Sequence, residues 1–160
     1  FKEAELSQRK AIQINPNLAE THFNLGNILK DLGKLQEANF SYRKAIELNP
    51  SNATFNFNLG KMYFDNGKYN QASNCFRKAL SFDSDMNSAR YNLGVSLENE
   101  AKSQYLQGFE KRGIALENEA KHQFNQAFKK MDVKRKIDLT EQKDIYNTRK
   151  NIIIDHVPAF

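Results

Sequence analysis

The dipeptide Leu-Gly recurs every 34 residues, at Leu25-Gly26, Leu59-Gly60 and Leu93-Gly94. The two residues before each pair also recur, as Phe-Asn, Phe-Asn and Tyr-Asn. A fixed period of about 20–50 residues is typical of chains that stack small units, because one unit cannot bury its apolar face alone. The spacing therefore predicts an array of like units, which recognises other molecules through a surface instead of transforming them in a pocket.

Each period contains the signals for two helices. Residues 19–30 favour helix, residues 31–34 interrupt it, and residues 35–48 favour helix again before Asn49-Pro50. Gly33 can adopt the left-handed conformation that ends a helix, and a proline disfavours helix at the residue before it. The unit is therefore predicted to be a helix-turn-helix.

The packing between the two helices can also be predicted. Gly26 and Gly60 lie inside the first helix, where Gly costs about 1 kcal/mol relative to Ala, so we expect the helices to approach closely there. Small side chains should line the second helix, and large ones should fill the space between helices. These residues are Ala38, Ala45, Ala72 and Ala79, and Leu25, Leu29, Tyr42, Leu59, Tyr63 and Phe76.

The order Leu-Gly, then Leu or Tyr, Ala, an aromatic residue, Ala and Pro resembles the tetratricopeptide repeat (TPR) family. The resemblance implies an all-α fold, a right-handed α-solenoid of antiparallel helix-turn-helix repeats. It places repeats at 19–50 and 53–84, after the second helix of a truncated repeat at 1–16. Because Phe1 falls partway through a repeat, we expect the array to continue upstream. Other residues occupy the position of the family's Trp: His22, Asn56 and Arg90.

The 34-residue register fails after Gly94, where a tandem repeat of 19 residues takes over. Residues 94–112 align with residues 113–131, and both copies contain Leu-Glu-Asn-Glu-Ala-Lys. We expect a degenerate TPR at 87–131 with extended helices, forming either a hairpin bent at 108–113 or one long kinked helix.

The last segment, residues 132–160, is predicted to be a charged connector followed by a capping helix. The helix would run from Thr140 to about Asp155 and place Ile145, Ile152 and Ile153 on one face. The alternative is that residues 152–154 form the first strand of a following domain.

Three asparagines recur in register on the first helices, at Asn24, Asn58 and Asn92. Asn is a mediocre residue for a helix interior, so its repetition indicates a reason beyond propensity. An amide offers two donors and an acceptor, which suits the backbone of an extended peptide. The pattern resembles the asparagine ladder that O-GlcNAc transferases carry on the concave face of their TPR arm. The alternative is that these asparagines bond neighbouring helices or reflect duplication of one unit.

Other first-helix residues are predicted to join this peptide-binding surface. Phe23, Phe57 and Tyr91 would contact apolar ligand side chains or pack between helices. Specificity would come from Asn27, Lys30, Asp31, Lys61, Phe64 and Asp65. Some TPR proteins clamp terminal carboxylates with cations on this surface. Because neutral residues occupy those positions here, we expect weak binding of acidic C-terminal peptides; the residues are Phe23, Asn27, Ser88 and Asn92.

The sequence shows no pattern of catalytic or metal-binding residues. His22, His122 and His156 lack the spacing of metal ligands, and there is no phosphate-binding loop or nucleophile elbow. Cys75 is the only cysteine and is predicted to be a packing residue. We therefore predict a non-enzymatic segment that needs no metal or cofactor.

The net charge of +5 raises nucleic acid and anionic membranes as partners. The one basic cluster consists of Lys129, Lys130, Lys134, Arg135 and Lys136. It is typical of a solvated connector and lacks interleaved aromatic residues, so nucleic acid is an unlikely partner. No run of about 20 apolar residues could span a bilayer. Localisation stays open, with the cytoplasm favoured by the single cysteine.

Together these patterns predict a protein–protein interaction scaffold that binds an extended peptide in the concave groove of a TPR array. The alternative is the substrate-recognition arm of a larger glycosyl- or sulfotransferase. Near-identical units such as residues 42–50 resemble long bacterial arrays joined to such catalytic domains.

Overall fold

A computed structural model describes residues 2–129, which form seven α-helices and no strand. The predicted all-α fold is confirmed. The capping helix and the alternative strand predicted within 132–160 lie outside the described residues. The helices are α1 (Lys2–Ile14), α2 (Ala19–Asp31), α3 (Leu35–Leu48), α4 (Ala53–Asp65), α5 (Tyr69–Phe82), α6 (Asn87–Leu106) and α7 (Glu110–Lys129).

The helices stack in chain order. Helix α2 packs on α3, α4 on α5, and α6 on α7, and the second helix of each pair contacts the first helix of the next. Helix α1 packs against α2 at the start of the stack. Each pair therefore buries its apolar faces against its neighbours, which is the arrangement of a helical repeat solenoid.

Glycines with positive φ end the first helix of each pair. Gly33 has φ 73° and Gly67 has φ 71°. After α2, the Lys34 N–H donates to the Leu29 carbonyl at 2.8 Å and the Gly33 N–H donates to the Lys30 carbonyl at 2.9 Å. This is a Schellman motif, which satisfies carbonyls that the helix leaves unpaired. It reverses the chain within three residues and brings the second helix back against the first.

The glycines inside the first helices permit close contact between helices, as predicted. A Cβ atom on Gly26 would lie 2.9 Å from Tyr42 Cδ1, and one on Gly60 would lie 2.7 Å from Phe76 Cε1. An aromatic ring of the second helix, and not an alanine, fills the space beside each glycine. The predicted packing residues are all buried: Leu25, Leu29, Ala38, Tyr42, Ala45, Leu59, Tyr63, Ala72, Phe76 and Ala79.

The 19-residue copies form a hairpin, so the alternative of one long helix is wrong. A Cβ on Gly94 would lie 2.7 Å from Phe124 Cε1, and one on Gly113 would lie 2.6 Å from Tyr105 Cε1. Gly94 and Tyr105 belong to the first copy, and Gly113 and Phe124 are their counterparts in the second. Each copy therefore contributes the glycine of one contact and the aromatic ring of the other. The two contacts are related by an approximate two-fold symmetry.

The bend of this hairpin is shorter than predicted. It spans residues 107–109, where Gly108 has φ 79°, and Gly113 lies inside α7 because its missing side chain makes room for Tyr105. Helices α6 and α7 have 20 residues each, whereas α2 and α4 have 13. At about 1.5 Å per residue, the hairpin is longer than the other helix pairs by about 10 Å.

Candidate peptide-binding surface

Successive first helices carry the three asparagines at the same position. Asn24 lies on α2, Asn58 on α4 and Asn92 on α6, each directly before the Leu-Gly pair that packs inside the repeat. Asn24 is exposed, and the other two are half-buried. The surface of α2, α4 and α6 that carries these residues is called the first-helix face below.

Two of the asparagines bond to their own helix. The Asn58 Nδ2 donates to the Thr54 carbonyl at 2.9 Å, and the Asn92 Nδ2 donates to the Ser88 carbonyl at 2.7 Å. Both bonds reach back four residues, so they orient the amide without linking helices. The alternative that these two side chains bond neighbouring helices is not observed.

The amides keep hydrogen-bonding capacity after these bonds are made. An Asn side chain has two N–H donors and an acceptor oxygen, and the Asn58 and Asn92 bonds use one donor each. Within residues 2–129, the Asn24 side chain has no hydrogen-bond partner. All three positions can therefore offer an acceptor and at least one donor to another molecule.

The aromatic residue before each asparagine packs against a ring of the second helix. Phe23 lies 5.9 Å from Tyr42, Phe57 lies 5.7 Å from Phe76, and Tyr91 lies 5.7 Å from Phe124, measured between ring centroids. Phe23, Phe57 and Tyr91 are half-buried at the edge of the core. Their packing role is clear, while a contact with ligand stays a prediction.

The side chain of Asn27 is hydrogen-bonded to a buried residue of the core. Its Oδ1 accepts a hydrogen bond from the Tyr42 hydroxyl at 2.7 Å. Burial, aided by the nearby Asp31 charge, raises the pKa of Tyr42 well above its ordinary value. The phenol therefore stays protonated and keeps donating, so the Asn27 oxygen has a partner before any ligand arrives.

The remaining predicted site residues are a mixed group. Lys30 Nζ lies 3.5 Å from Asp31 Oδ1, and the ring of Phe64 packs edge-on against Tyr69 at 5.5 Å. Lys61 and Asp65 are exposed on α4. These predicted site positions on α2 and α4 therefore carry two cations and two carboxylates: Lys30, Lys61, Asp31 and Asp65.

A cavity of about 420 Å³ lies between α3, α4 and α5, beside Asn56. His22 and Arg90 occupy the equivalent positions on α2 and α6 and reach back to loop carbonyls, at Pro16 and Ser84. Asn56 is shorter and bonds the carbonyl of Asn52, four residues back, at 3.3 Å. The sequence showed the substitution but not the cavity. Its lining includes Arg43, Ile46, Leu59, Tyr63, Cys75 and Lys78.

Cys75 is a poor candidate for a nucleophile. Burial raises the pKa of its thiol to about 11, so the reactive thiolate is scarce at neutral pH. Its side chain packs against the core cluster, as predicted.

Residues 2–129 offer neither a metal centre nor a membrane span. They contain no group of three or more His, Cys, Asp or Glu side chains that could hold a metal ion. None of their helices is long and apolar enough to cross a membrane.

Family models match most of the helical stack. A TPR repeat model matches residues 26–67 and 60–99, and a tetratricopeptide repeat model matches residues 8–38. Together these matches span 8–99, more than half of the 160 residues. The chain belongs to the tetratricopeptide repeat family. No curated protein sequence matches it.

Solved structures agree with this assignment. A MamA protein is similar with a TM-score of 0.63 and 20% identity, over 82% of this chain and 68% of that chain. A second MamA structure gives a TM-score of 0.53 and 17% identity, over 78% of this chain and 89% of that chain. At these identities the likeness concerns the fold alone.

A mutant O-GlcNAc transferase from Thermobaculum terrenum is also similar. The TM-score is 0.54 with 26% identity, over 59% of this chain and 18% of the transferase. As an array of TPR units, the chain is a protein-interaction scaffold.

Proposed function

We propose that the first-helix face binds an extended peptide, with Asn24, Asn58 and Asn92 pairing with the peptide backbone. The observation that carries this proposal is the repetition of an amide with free hydrogen-bonding groups at one position of three successive first helices. Backbone pairing is independent of peptide side chains, so the face would tolerate many sequences.

The neighbouring residues would adjust which peptides bind. The half-buried rings of Phe23, Phe57 and Tyr91 leave part of each side chain accessible beside the amides. Lys61 and Asp65 are exposed and could pair with charges of either sign. We therefore expect selectivity to be modest and to come from side chains around the ladder.

The test compares one peptide on three proteins. An array of unstructured peptides identifies a binder, and fluorescence anisotropy then measures its Kd for wild type and for Asn24→Ala/Asn58→Ala/Asn92→Ala. At about 0.5–1.5 kcal/mol for each lost hydrogen bond, affinity should fall at least ten-fold. Asn118→Ala/Asn125→Ala is the matched control, because both asparagines lie on α7, outside the first-helix face.

Two altered peptides separate backbone from side-chain recognition. N-methylation of alternate backbone amides should abolish binding, because it removes donors that the asparagines would use. A scrambled peptide of the same composition should bind within a few-fold. Unchanged affinity in the triple asparagine variant would refute the proposal.

A second candidate function is the substrate-recognition arm of a larger glycosyl- or sulfotransferase. The likeness to the Thermobaculum terrenum O-GlcNAc transferase favours it, although the chain covers 18% of that protein. Sequencing the parent reading frame on both sides of this segment tests it. An adjoining catalytic domain would support the arm, and the asparagine variants should then slow turnover on protein substrates.

A further inference from the structure

Exposed apolar side chains gather at the end of the α6–α7 hairpin. Of nine large hydrophobic residues exposed within residues 2–129, four lie between positions 105 and 114. Leu106 is 75% exposed and Phe109 57%, and Ile114 and Tyr105 are 45% and 36% exposed. Residues 102–114 are called the hairpin tip below.

The hairpin tip lies at the far end of the longest helix pair. Helices α6 and α7 are each seven residues longer than α2 and α4. The hairpin is therefore about two helical turns longer than the other helix pairs, and the tip lies at its far end. Gly108, with φ 79°, makes the tight turn between Leu106 and Phe109. Leu106 follows Asn92 by 14 residues on α6, about 20 Å along the helix axis, so the tip lies beyond the asparagines of the first-helix face.

Cations surround the apolar side chains of the tip. Lys102, Lys111 and Arg112 are exposed, against two carboxylates: Glu110 in the same segment and Glu117, which hydrogen-bonds with Tyr105. None of these three cations forms an ion pair within the described part of the chain. The tip therefore combines an apolar end with an excess of positive charge.

We propose that the hairpin tip inserts into the surface of a lipid bilayer with anionic headgroups. Leu106 and Phe109 would enter the boundary of the acyl chains, and the cations would contact headgroup phosphates and carboxylates. A protein partner usually needs about 800 Å² of surface from each side, whereas the tip presents only four exposed large apolar side chains at the end of one hairpin. A bilayer requires no complementary shape, and the charge of the tip complements that of its surface.

A tryptophan reporter tests insertion at the tip itself. The chain contains no Trp, so Phe109→Trp supplies a single fluorophore at the tip. Vesicles of equal parts phosphatidylcholine and phosphatidylserine should shift its emission to shorter wavelength. Phe40→Trp is the matched control, because Phe40 is 72% exposed on α3 and lies far from the tip in sequence; its emission should not shift.

Vesicle sedimentation with the full chain tests which groups provide the binding. Leu106→Ser/Phe109→Ser should lower the partition coefficient at least about ten-fold, as expected when two apolar side chains no longer leave water. Lys111→Gln/Arg112→Gln should lower it by a similar factor, because each cation near an anionic surface contributes about a factor of five. The control Phe40→Ser/Phe82→Ser should bind as wild type.

Several results would overturn the proposal. Equal vesicle binding by the tip variants and wild type would assign binding to another part of the chain. If the emission of the Phe109→Trp variant is already blue-shifted without vesicles and does not respond to them, protein covers the tip. A dimer in sedimentation velocity that Leu106→Ser/Phe109→Ser abolishes, without vesicle binding, would make the tip a contact between copies. Far-UV circular dichroism must show that each variant keeps its helices.

Discussion

Glu5 is a carboxylate that ties α1 to the first helix pair. Its side chain accepts hydrogen bonds from Lys34 Nζ at 2.8 Å and from Arg9 Nε at 3.0 Å. Lys34 lies in the turn between α2 and α3, so this contact joins two repeats. The Lys34 ammonium, and next the Arg9 guanidinium, hold the pKa of Glu5 below its ordinary value.

The depressed pKa predicts how stability depends on pH. A carboxylate with a lowered folded pKa stabilises the fold above its unfolded value of about 4.3. The contribution is lost as pH falls through the folded pKa. Glu5→Gln should therefore lower the melting temperature at pH 7 and lower it less at pH 3, as measured by circular dichroism.

Glu3→Gln is the control for that experiment, because Glu3 is exposed on the same helix. It should change stability little at either pH. A Glu5→Gln penalty of equal size at both pH values would show that charge is not the cause.

Single residues differ in how well the sequence predicts their role. Gly26 and Gly60 could be assigned to close packing, because Gly inside a helix has a cost that needs an explanation. Phe23 and Phe57 could not be assigned, because periodicity places them where the buried and exposed faces of the helix meet. In the structure, Phe23 packs against the ring of Tyr42 and Phe57 against the ring of Phe76. The positions of those rings depend on the angle between helices, which periodicity does not give.

The α6–α7 hairpin contains two glycine–aromatic contacts that should differ in tolerance. Gly94 faces Phe124, which is 4% exposed, and Gly113 faces Tyr105, which is 36% exposed. A methyl group at Gly94 would press on a ring that has no room to move. At Gly113 the ring can shift toward solvent.

Overpacking a core usually costs about 1–3 kcal/mol and Ala gains about 1 kcal/mol in helix propensity over Gly, so Gly94→Ala should destabilise the protein by up to about 2 kcal/mol. Gly113→Ala should be nearly neutral, because a gain in helix propensity of about 1 kcal/mol offsets the shift of Tyr105. Urea unfolding followed by circular dichroism measures both. Equal losses would mean that Tyr105 is as rigidly held as Phe124.

Helix boundaries were largely predictable from the sequence, and the exception has a clear cause. The second helix predicted at 35–48 is observed as Leu35–Leu48, because Gly33 and Pro50 provide unambiguous ends. The sequence predicts a bend that extends five residues beyond Gly108, because a second glycine at position 113 is typical of a turn. A glycine that makes room for a ring and a glycine that turns the chain look alike in sequence. The contact with Tyr105 shows that Gly113 makes room for a ring and does not turn the chain.

The positive charge of the whole chain is not concentrated on the first-helix face. The chain carries a net charge of +5, yet the predicted site positions on α2 and α4 pair Lys30 and Lys61 with as many carboxylates, Asp31 and Asp65. Lys30 is also close to Asp31, at 3.5 Å. An acidic ligand therefore gains little from this surface, because attraction to the lysines is offset by repulsion from the carboxylates.

An acidic peptide with a free C-terminus should consequently bind weakly, with a Kd above about 0.1 mM in fluorescence anisotropy. Amidating its C-terminus should change little, because neutral residues occupy the clamp positions on the first-helix face. Ser88→Lys/Asn92→Lys, which adds two cations on α6, should tighten binding at least about ten-fold and make it depend on salt. Micromolar affinity of the unmodified protein that amidation abolishes would show that cations elsewhere on the array form a carboxylate clamp.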